Sequence, residues 1–444
     1  MKAKLQNIIN DSDFKEILTK GFSFLVFRLG GTIAGYLFTM FITLKFGANI
    51  YGLVALGFSI FLISSVVGKM GLDINILQFF SDDDNDKQSG IFYKSIIKSF
   101  ALSSLIALGI YYFRNELVLH VFEEPKPQLL PYLPWVLAAI PFWSANNICN
   151  GYLRAKKKTK AFAFFNNPGR FVFALLAILI LYFFTEDPLI TVQAHFFGVL
   201  ISALLSFLVV SFQIKSLQLK STVNSWRFLK SALPMMLSSS ILILLGWMDT
   251  IVMGIYVTDS EIGVYNVALK VATLTSFSLE AINSILAPKI AQNYWKGDEK
   301  NYKKLIAFST KLNFFISSGV VLVIIFASQF LLGMFGDEFV AGTTILFIFC
   351  FGQIVNSFSG SVAVILQMIG KQKVFQNFVL TALIINVVAT FILTPIYGGI
   401  GSAIATVSSI SFWSIGCSIY LKRKMGIVSY FNPFQKFSKG NNKT

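Results

Sequence analysis

Five charged side chains fall inside long apolar runs of this chain: Arg28, Arg170, Asp249, Lys270 and Glu280. A charge at the centre of a membrane helix costs about 2.5 to 3.5 kcal/mol on insertion scales, so such residues face a cavity or one another. Arg28 lies roughly 10 Å into the first run at 1.5 Å of rise per residue. Thr32, Gly35 and Thr39 follow it on one face, so a small, polar stripe below a cation is expected to line a cavity, with snorkelling to the inner headgroups as the alternative. Arg170 comes after Asn166, Asn167 and Pro168, about 12 Å from the end of its run. Lys270 belongs to a stripe of Asn266, Lys270, Thr273, Phe277, Glu280 and Ser284 whose spacing keeps one helix face inward. Asp249 sits at a depth similar to that of Lys270 on the preceding run. A structural Asp249–Lys270 ion pair and a role in substrate or ion handling therefore both stay open, and Glu280 could neutralise Arg28 or Arg170. Lys69 and Lys98 lie near the ends of their runs and read as snorkelling anchors. Three cations against two carboxylates favour an anionic ligand. Phosphate or pyrophosphate on a lipid carrier suits such a pocket, because charge-assisted bonds strengthen when water is excluded.

The elements that must hold these residues follow from composition. Of 444 residues 55% are hydrophobic and 13% charged, against about 25% charged in a soluble domain. That excludes an ordinary soluble enzyme, a disordered chain and a disulfide-stapled domain. Twelve apolar stretches remain, at 21–44, 51–72, 95–113, 131–153, 162–184, 190–213, 231–256, 261–286, 312–335, 340–366, 374–394 and 398–421, each long enough for a membrane helix. The stretch at 131–153 carries Pro131, Pro134 and Pro141 and is the least regular. The expected fold is all-α, a polytopic membrane protein of about twelve helices in two six-helix lobes around a central cavity. The expected lobes are 1–213 and 231–424, joined by a basic linker at 214–230 and followed by a tail at 425–444. Placing both termini inside puts 29 of the 37 Lys and Arg in cytoplasmic segments and only Lys45, Arg114 and Lys126 outside. That asymmetry fixes the orientation and assigns most of the +16 net charge to topology and inner-leaflet lipids, leaving no nucleic-acid role. Asp82, Asp83, Asp84 and Asp86 dissent, but acidic residues weigh little in that rule.

Other chemistries find no support. Cys149, Cys350 and Cys417 lie in apolar runs and suggest no disulfide framework. Residues 1–20 lack the short apolar core of a removable signal peptide. No phosphate-binding loop is present, and Gly30, Gly31 and Gly35 read as close helix packing. His120 and His195 are far apart and join no metal-ligand pattern, so neither metal nor cofactor is expected. A membrane-embedded sugar polymerase would need a larger loop than any here, so the chain is not expected to be an enzyme. A drug or cation antiporter using Asp249 and Glu280 is the nearer rival.

Short motifs carry a resemblance. Lys20-Gly21, Arg28, Gly31, Gly35, Phe46-Gly47, Tyr51-Gly52 and Gly71-Leu72 open the chain. Trp247-x-Asp249, the run Ile262-Gly263-Val264-Tyr265-Asn266-Val267-Ala268, then Ala287-Pro288-Lys289-Ile290-Ala291 and Gly297-Asp298 follow in the second half. Together they resemble the O-antigen-type polysaccharide-unit flippases of the multidrug/oligosaccharidyl-lipid/polysaccharide exporter superfamily. Gln78 stands where relatives often carry arginine, and the two extra helices of the peptidoglycan-precursor flippases are missing. The resemblance implies a flippase that moves an undecaprenyl-pyrophosphate-linked oligosaccharide from the cytoplasmic to the outer leaflet of a bacterial cytoplasmic membrane by alternating access. It implies that Arg28, Arg170 and Lys270 receive the pyrophosphate while Thr32, Asn266 and Thr273 contact sugar. Membrane lipids and a polysaccharide polymerase machinery are the further implied partners.

Overall fold

The structure, a computed structural model, describes residues 12–82, 88–166, 168–214 and 221–433. The acidic run at Asp83, Asp84 and Asp86, most of the N-terminal tail and the last residues of the C-terminal tail lie outside the described residues. Among the described residues the chain is helical throughout, with turns and no strand. In chain order the helices are α1 (Ser12–Lys69), α2 (Leu72–Phe80), α3 (Ser89–Tyr112), α4 (Leu133–Ala155), α5 (Thr159–Phe165), α6 (Pro168–Phe184), α7 (Ile190–Ile214) and α8 (Ser225–Tyr256). They continue with α9 (Asp259–Ala272), α10 (Ser276–Trp295), α11 (Glu299–Phe326), α12 (Ser328–Gly333), α13 (Thr343–Ser359), α14 (Val362–Met368) and α15 (Gln372–Met425). Among the described residues the twelve apolar stretches are mostly helical. Six of the described helices are long and apolar enough to cross a membrane, or seven when α5 and α6, which meet at 49°, are taken as one span. Two of these helices, α1 and α15, each run through two of the expected stretches, so the number of helices is not a count of crossings.

Both long helices break where the sequence separates those stretches. Gly47 takes φ 79°, ψ −179° inside α1, and Gly398 takes φ 57°, ψ −138° inside α15. Backbone of that kind is open to glycine alone at little cost, so each glycine kinks the helix without interrupting its hydrophobicity. The three prolines near α4 prove compatible with a continuous helix: Pro134 falls in its first turn, where a missing N–H costs nothing, and Pro141 is accommodated within it.

Residues Met1–Val264 and Tyr265–Thr444 form two compact units. In the first, α7 packs along α4 and α6, and α1 along α4, α6 and α8. The short helix α2 is sunk in a cluster of Leu72, Ile76, Phe80, Phe92, Tyr152 and Phe228. Asn75 fastens it to α8 by donating to the Phe228 carbonyl at 2.7 Å and to Ser231 Oγ at 3.1 Å. Since lipid tails are as apolar as leucine, association at depth relies on close packing. Gly52 and Gly263 supply it: a methyl group on Gly52 would lie 1.7 Å from the Asp259 carbonyl oxygen, and one on Gly263 2.2 Å from that of Ala48. Gly31 packs likewise against Pro168, whereas Gly30 faces open space.

The second unit is held by neutral polar contacts. Asn313 on α11 donates to Ser357 Oγ on α13 at 2.9 Å, and Thr310 Oγ1 donates to the Ser429 carbonyl at 2.8 Å. Within α15 the Asn386 amide reaches Thr406 Oγ1 at 3.3 Å, and Thr394 and Ser402 share a hydrogen bond of 2.7 Å across the Gly398 kink.

Both units leave large apolar side chains bare, among them Phe183, Phe184 and Phe212 in the first and Phe315, Phe326 and Phe351 in the second. Exposure of that extent on long apolar helices is what a multi-pass membrane protein presents to lipid.

Candidate functional site

The site is built from a helix start. Pro168 has no N–H to continue α5, so α6 begins there, and a carbonyl at the end of α5 is left to find other donors. Asn146 and Asn150, one turn apart on α4, both donate to the Phe165 carbonyl, at 2.9 and 3.1 Å. Those two amides fix the break, and with it the position of Arg170 in the first turn of α6.

Arg170 is 7% exposed. Its guanidinium lies 4.6 Å from the ring centroids of Trp143 on α4 and Phe171 on α6, and 5.9 Å from that of Phe61 on α1. The same aromatic wall holds His195 of α7, whose ring centroid is 4.2 Å from Phe58, 5.1 Å from Phe61 and 6.5 Å from Phe171. Stacking of a desolvated guanidinium on aromatic faces is worth about 2 kcal/mol. No ion pair to Arg170 occurs among the described residues, and Arg170 Nε, His195 Nε2 and Ser202 Oγ are buried with no hydrogen-bond partner. A cation left with an unpartnered Nε donor in an aromatic wall is disposed to take an anion or a strongly accepting oxygen.

The other expected site residues are distributed as follows. Arg28 lies on the first half of α1, and its side chain falls outside the described residues. Thr32 is half-buried on the same helix, and Asp249 is buried on α8, with Oδ1 accepting the Thr250 N–H at 2.8 Å. In the second unit Asn266 is buried on α9, Lys270 and Glu280 are half-buried, and Thr273 is exposed. The stripe expected on a single helix is interrupted, since α9 ends at Ala272 and a turn of 3₁₀ helix at Thr273–Thr275 precedes α10. Thr273 Oγ1 donates to the Lys270 carbonyl at 2.7 Å across that turn.

Sequence reasoning missed His195, because a lone histidine in an apolar run carries no local signal of its aromatic neighbours or of Arg170. It also read Lys69 as an anchor. Lys69 is 5% exposed and pairs with Asp73 at 2.8 Å, an i, i+4 spacing already visible in the chain. Lys98 donates to Ser225 Oγ at 2.9 Å and lies 3.7 Å above the Trp226 ring at the start of α8. Lys126, counted among the outer cations, forms a buried ion pair of 2.6 Å with Asp259, whose other oxygen accepts from Gln128 at 2.7 Å. The described residues hold no group of three His, Cys, Asp or Glu side chains able to bind a metal ion.

Solved transporters share this architecture. An inward-facing multidrug resistance MATE family transporter of the MOP superfamily superposes with a TM-score of 0.74 at 14% identity, covering 91% of this chain and 98% of the other. The lipid II flippase MurJ in an inward closed conformation gives 0.72 at 18% identity, with 91% and 87% covered. The fold is therefore the one that these two solved transporters share. The chain belongs to the polysaccharide biosynthesis protein family, whose model matches residues 17–294. A second model, MatE, matches residues 234–392. Among curated proteins, the probable low-salt glycan biosynthesis flippase Agl15 of Haloferax volcanii is 24% identical over 182 residues, which is 41% of this chain and 39% of that relative. The match thus spans about two fifths of the relative's length.

Proposed function

We propose that this protein is a flippase for a polyprenyl-pyrophosphate-linked oligosaccharide repeat unit of the O-antigen or capsule type, moving it from the cytoplasmic to the outer leaflet by alternating access. Membership in the polysaccharide biosynthesis family and the likeness to Agl15, a probable glycan biosynthesis flippase, support the substrate class. The observation that carries the reading is Arg170, a buried guanidinium whose Nε has no hydrogen-bond partner and which has no ion pair among the described residues. In this reading Arg170, with Arg28 and Lys270, draws in the pyrophosphate, Thr32, Asn266 and Thr273 contact sugar, and the polyprenyl chain stays in lipid. The protein works in a bacterial cytoplasmic membrane with both termini inside, and polysaccharide polymerase machinery takes its product. A drug or cation antiporter is the second reading, favoured by the buried carboxylate of Asp249.

The deciding experiment is a deletion strain complemented with wild type or Arg170→Ala. The flippase reading expects lost surface polysaccharide and accumulated lipid-linked repeat units in the deletion strain, restored by wild type and not by an inserted Arg170→Ala. Intact polysaccharide in the deletion strain together with new drug sensitivity would establish the antiporter instead.

A further inference from the structure

The turn between α10 and α11 holds a cavity of about 630 Å³, lined by Asn293, Asn301, Lys304, Leu305 and Phe308. We propose that this cavity is a binding site for the headgroup of an anionic glycerol phospholipid, with one acyl chain running down the exposed face of α11. The inference is independent of which substrate the protein transports.

Three observations define the ligand. The first is charge. Lys296, Lys300, Lys303 and Lys304 surround the turn, and the nearby carboxylates are engaged: Asp298 caps α11 by accepting the Asn301 N–H at 3.1 Å, and Glu299 pairs with Lys303. Lys304, exposed and with no ion pair among the described residues, is the cation among the residues that line the cavity. A net negative headgroup is favoured over a zwitterionic one by such a field. The second is hydrogen bonding. The Asn293 amide N–H donates to the Lys289 carbonyl at 2.8 Å, and that of Asn301 to Asp298. Each asparagine side chain keeps its carbonyl oxygen, which accepts hydroxyl donors, and a second amide N–H. A phosphodiester on Lys304 with glycerol hydroxyls on Asn293 and Asn301 satisfies all three groups.

The third observation is the apolar continuation, which separates a lipid from a soluble phosphate ester. Lys304, Phe308, Leu312 and Phe315 recur at +4, +4 and +3, so they form one stripe along α11. Phe308 is 53% exposed and Phe315 65%, so the stripe passes from cation to bare hydrocarbon within three turns. Trp295, 70% exposed beside the same turn, donates from Nε1 to the Met368 carbonyl at 3.1 Å. An exposed tryptophan tied at its polar end marks headgroup depth. On the inner side, Tyr294 and Tyr302 pack ring to ring at 5.4 Å and hold the two helices together around the cavity.

The test is native mass spectrometry of the full purified chain with phosphatidylglycerol or phosphatidylethanolamine added at equal concentration. One lysine near a lipid surface contributes about fivefold in affinity, so wild type should retain about five times more phosphatidylglycerol than phosphatidylethanolamine. Lys304→Gln should remove that preference, Phe308→Ser should lower retention of both lipids, Lys304→Arg should keep the preference, and Lys158→Gln, remote in sequence, should leave it untouched. Equal retention of both lipids by wild type would overturn the proposal, as would an unchanged preference in Lys304→Gln. Displacement of the lipid by soluble glycerol phosphate at matched concentration would show a free phosphate site and overturn it too. Melting temperatures measured alongside distinguish a lost site from a lost fold.

Discussion

The two units bury polarity in different ways. Up to Val264 the fully buried set includes Lys69, Lys126, Arg170, His195, Asp249 and Asp259; from Tyr265 on, the fully buried polar residues among those described are all Ser, Thr and Asn. A buried ion is stable only with a good partner or a function that needs it, whereas a hydroxyl or amide is satisfied by one or two hydrogen bonds. Two of the first unit's cations have carboxylate partners, Lys69 with Asp73 and Lys126 with Asp259. Arg170, with no ion pair among the described residues, lies against aromatic rings. The contrast teaches that the first unit buries charge in more than one way: in ion pairs that fasten segments together, as at Lys69 and Lys126, and in an aromatic wall, as at Arg170.

Substitutions can break or sharpen this contrast. The largest effect is expected at the Lys126–Asp259 pair. Lys126→Met leaves a buried carboxylate held by Gln128 alone and should lower unfolding stability by about 3 to 5 kcal/mol, with Lys126→Met/Asp259→Asn recovering much of it. Chemical denaturation in detergent measures both. Next comes close packing: Gly52→Ala drives a methyl into the Asp259 carbonyl and should cost about 1 to 3 kcal/mol. In the second unit, Asn313→Leu exchanges neutral hydrogen bonds to Ser357 and Ser317 for an apolar side chain and should cost about 0.5 to 1.5 kcal/mol. Smallest of all should be the change in stability on Arg170→Met, within about 1 kcal/mol, because relief of an unpaired buried charge offsets the lost stacking. Transport, in contrast, should fall sharply, and a variant that keeps its fold and loses its activity would set Arg170 apart from the paired cations.

Much of the fold is legible in the sequence because the membrane imposes it. Long apolar runs announce helices, and glycines at the gaps between runs, Gly47 and Gly398, mark the kinks. Tyr51-Gly52 and Ile262-Gly263, quoted as family motifs, turn out to be the places where backbones meet at less than side-chain distance. Arg170 also stood out, since depth in an apolar run is a property of one segment. What stayed hidden depends on two segments at once. His195 gains its meaning from Phe58, Phe61 and Arg170, and Lys126 from Asp259, 133 residues later. The stripe through Lys270 is not one unbroken α-helix for another reason: regular spacing cannot reveal the turn of 3₁₀ helix at Thr273–Thr275.

The central claim is that Arg170 acts through its charge on an anionic, lipid-linked substrate. The most direct measurement is the flipping rate of a fluorescent polyprenyl-pyrophosphate oligosaccharide by the purified protein in liposomes, for wild type, Arg170→Lys and Arg170→Met. The account predicts that Arg170→Met abolishes flipping while Arg170→Lys keeps a measurable fraction of it. Equal rates in wild type and Arg170→Met, with both proteins folded and inserted, would contradict it.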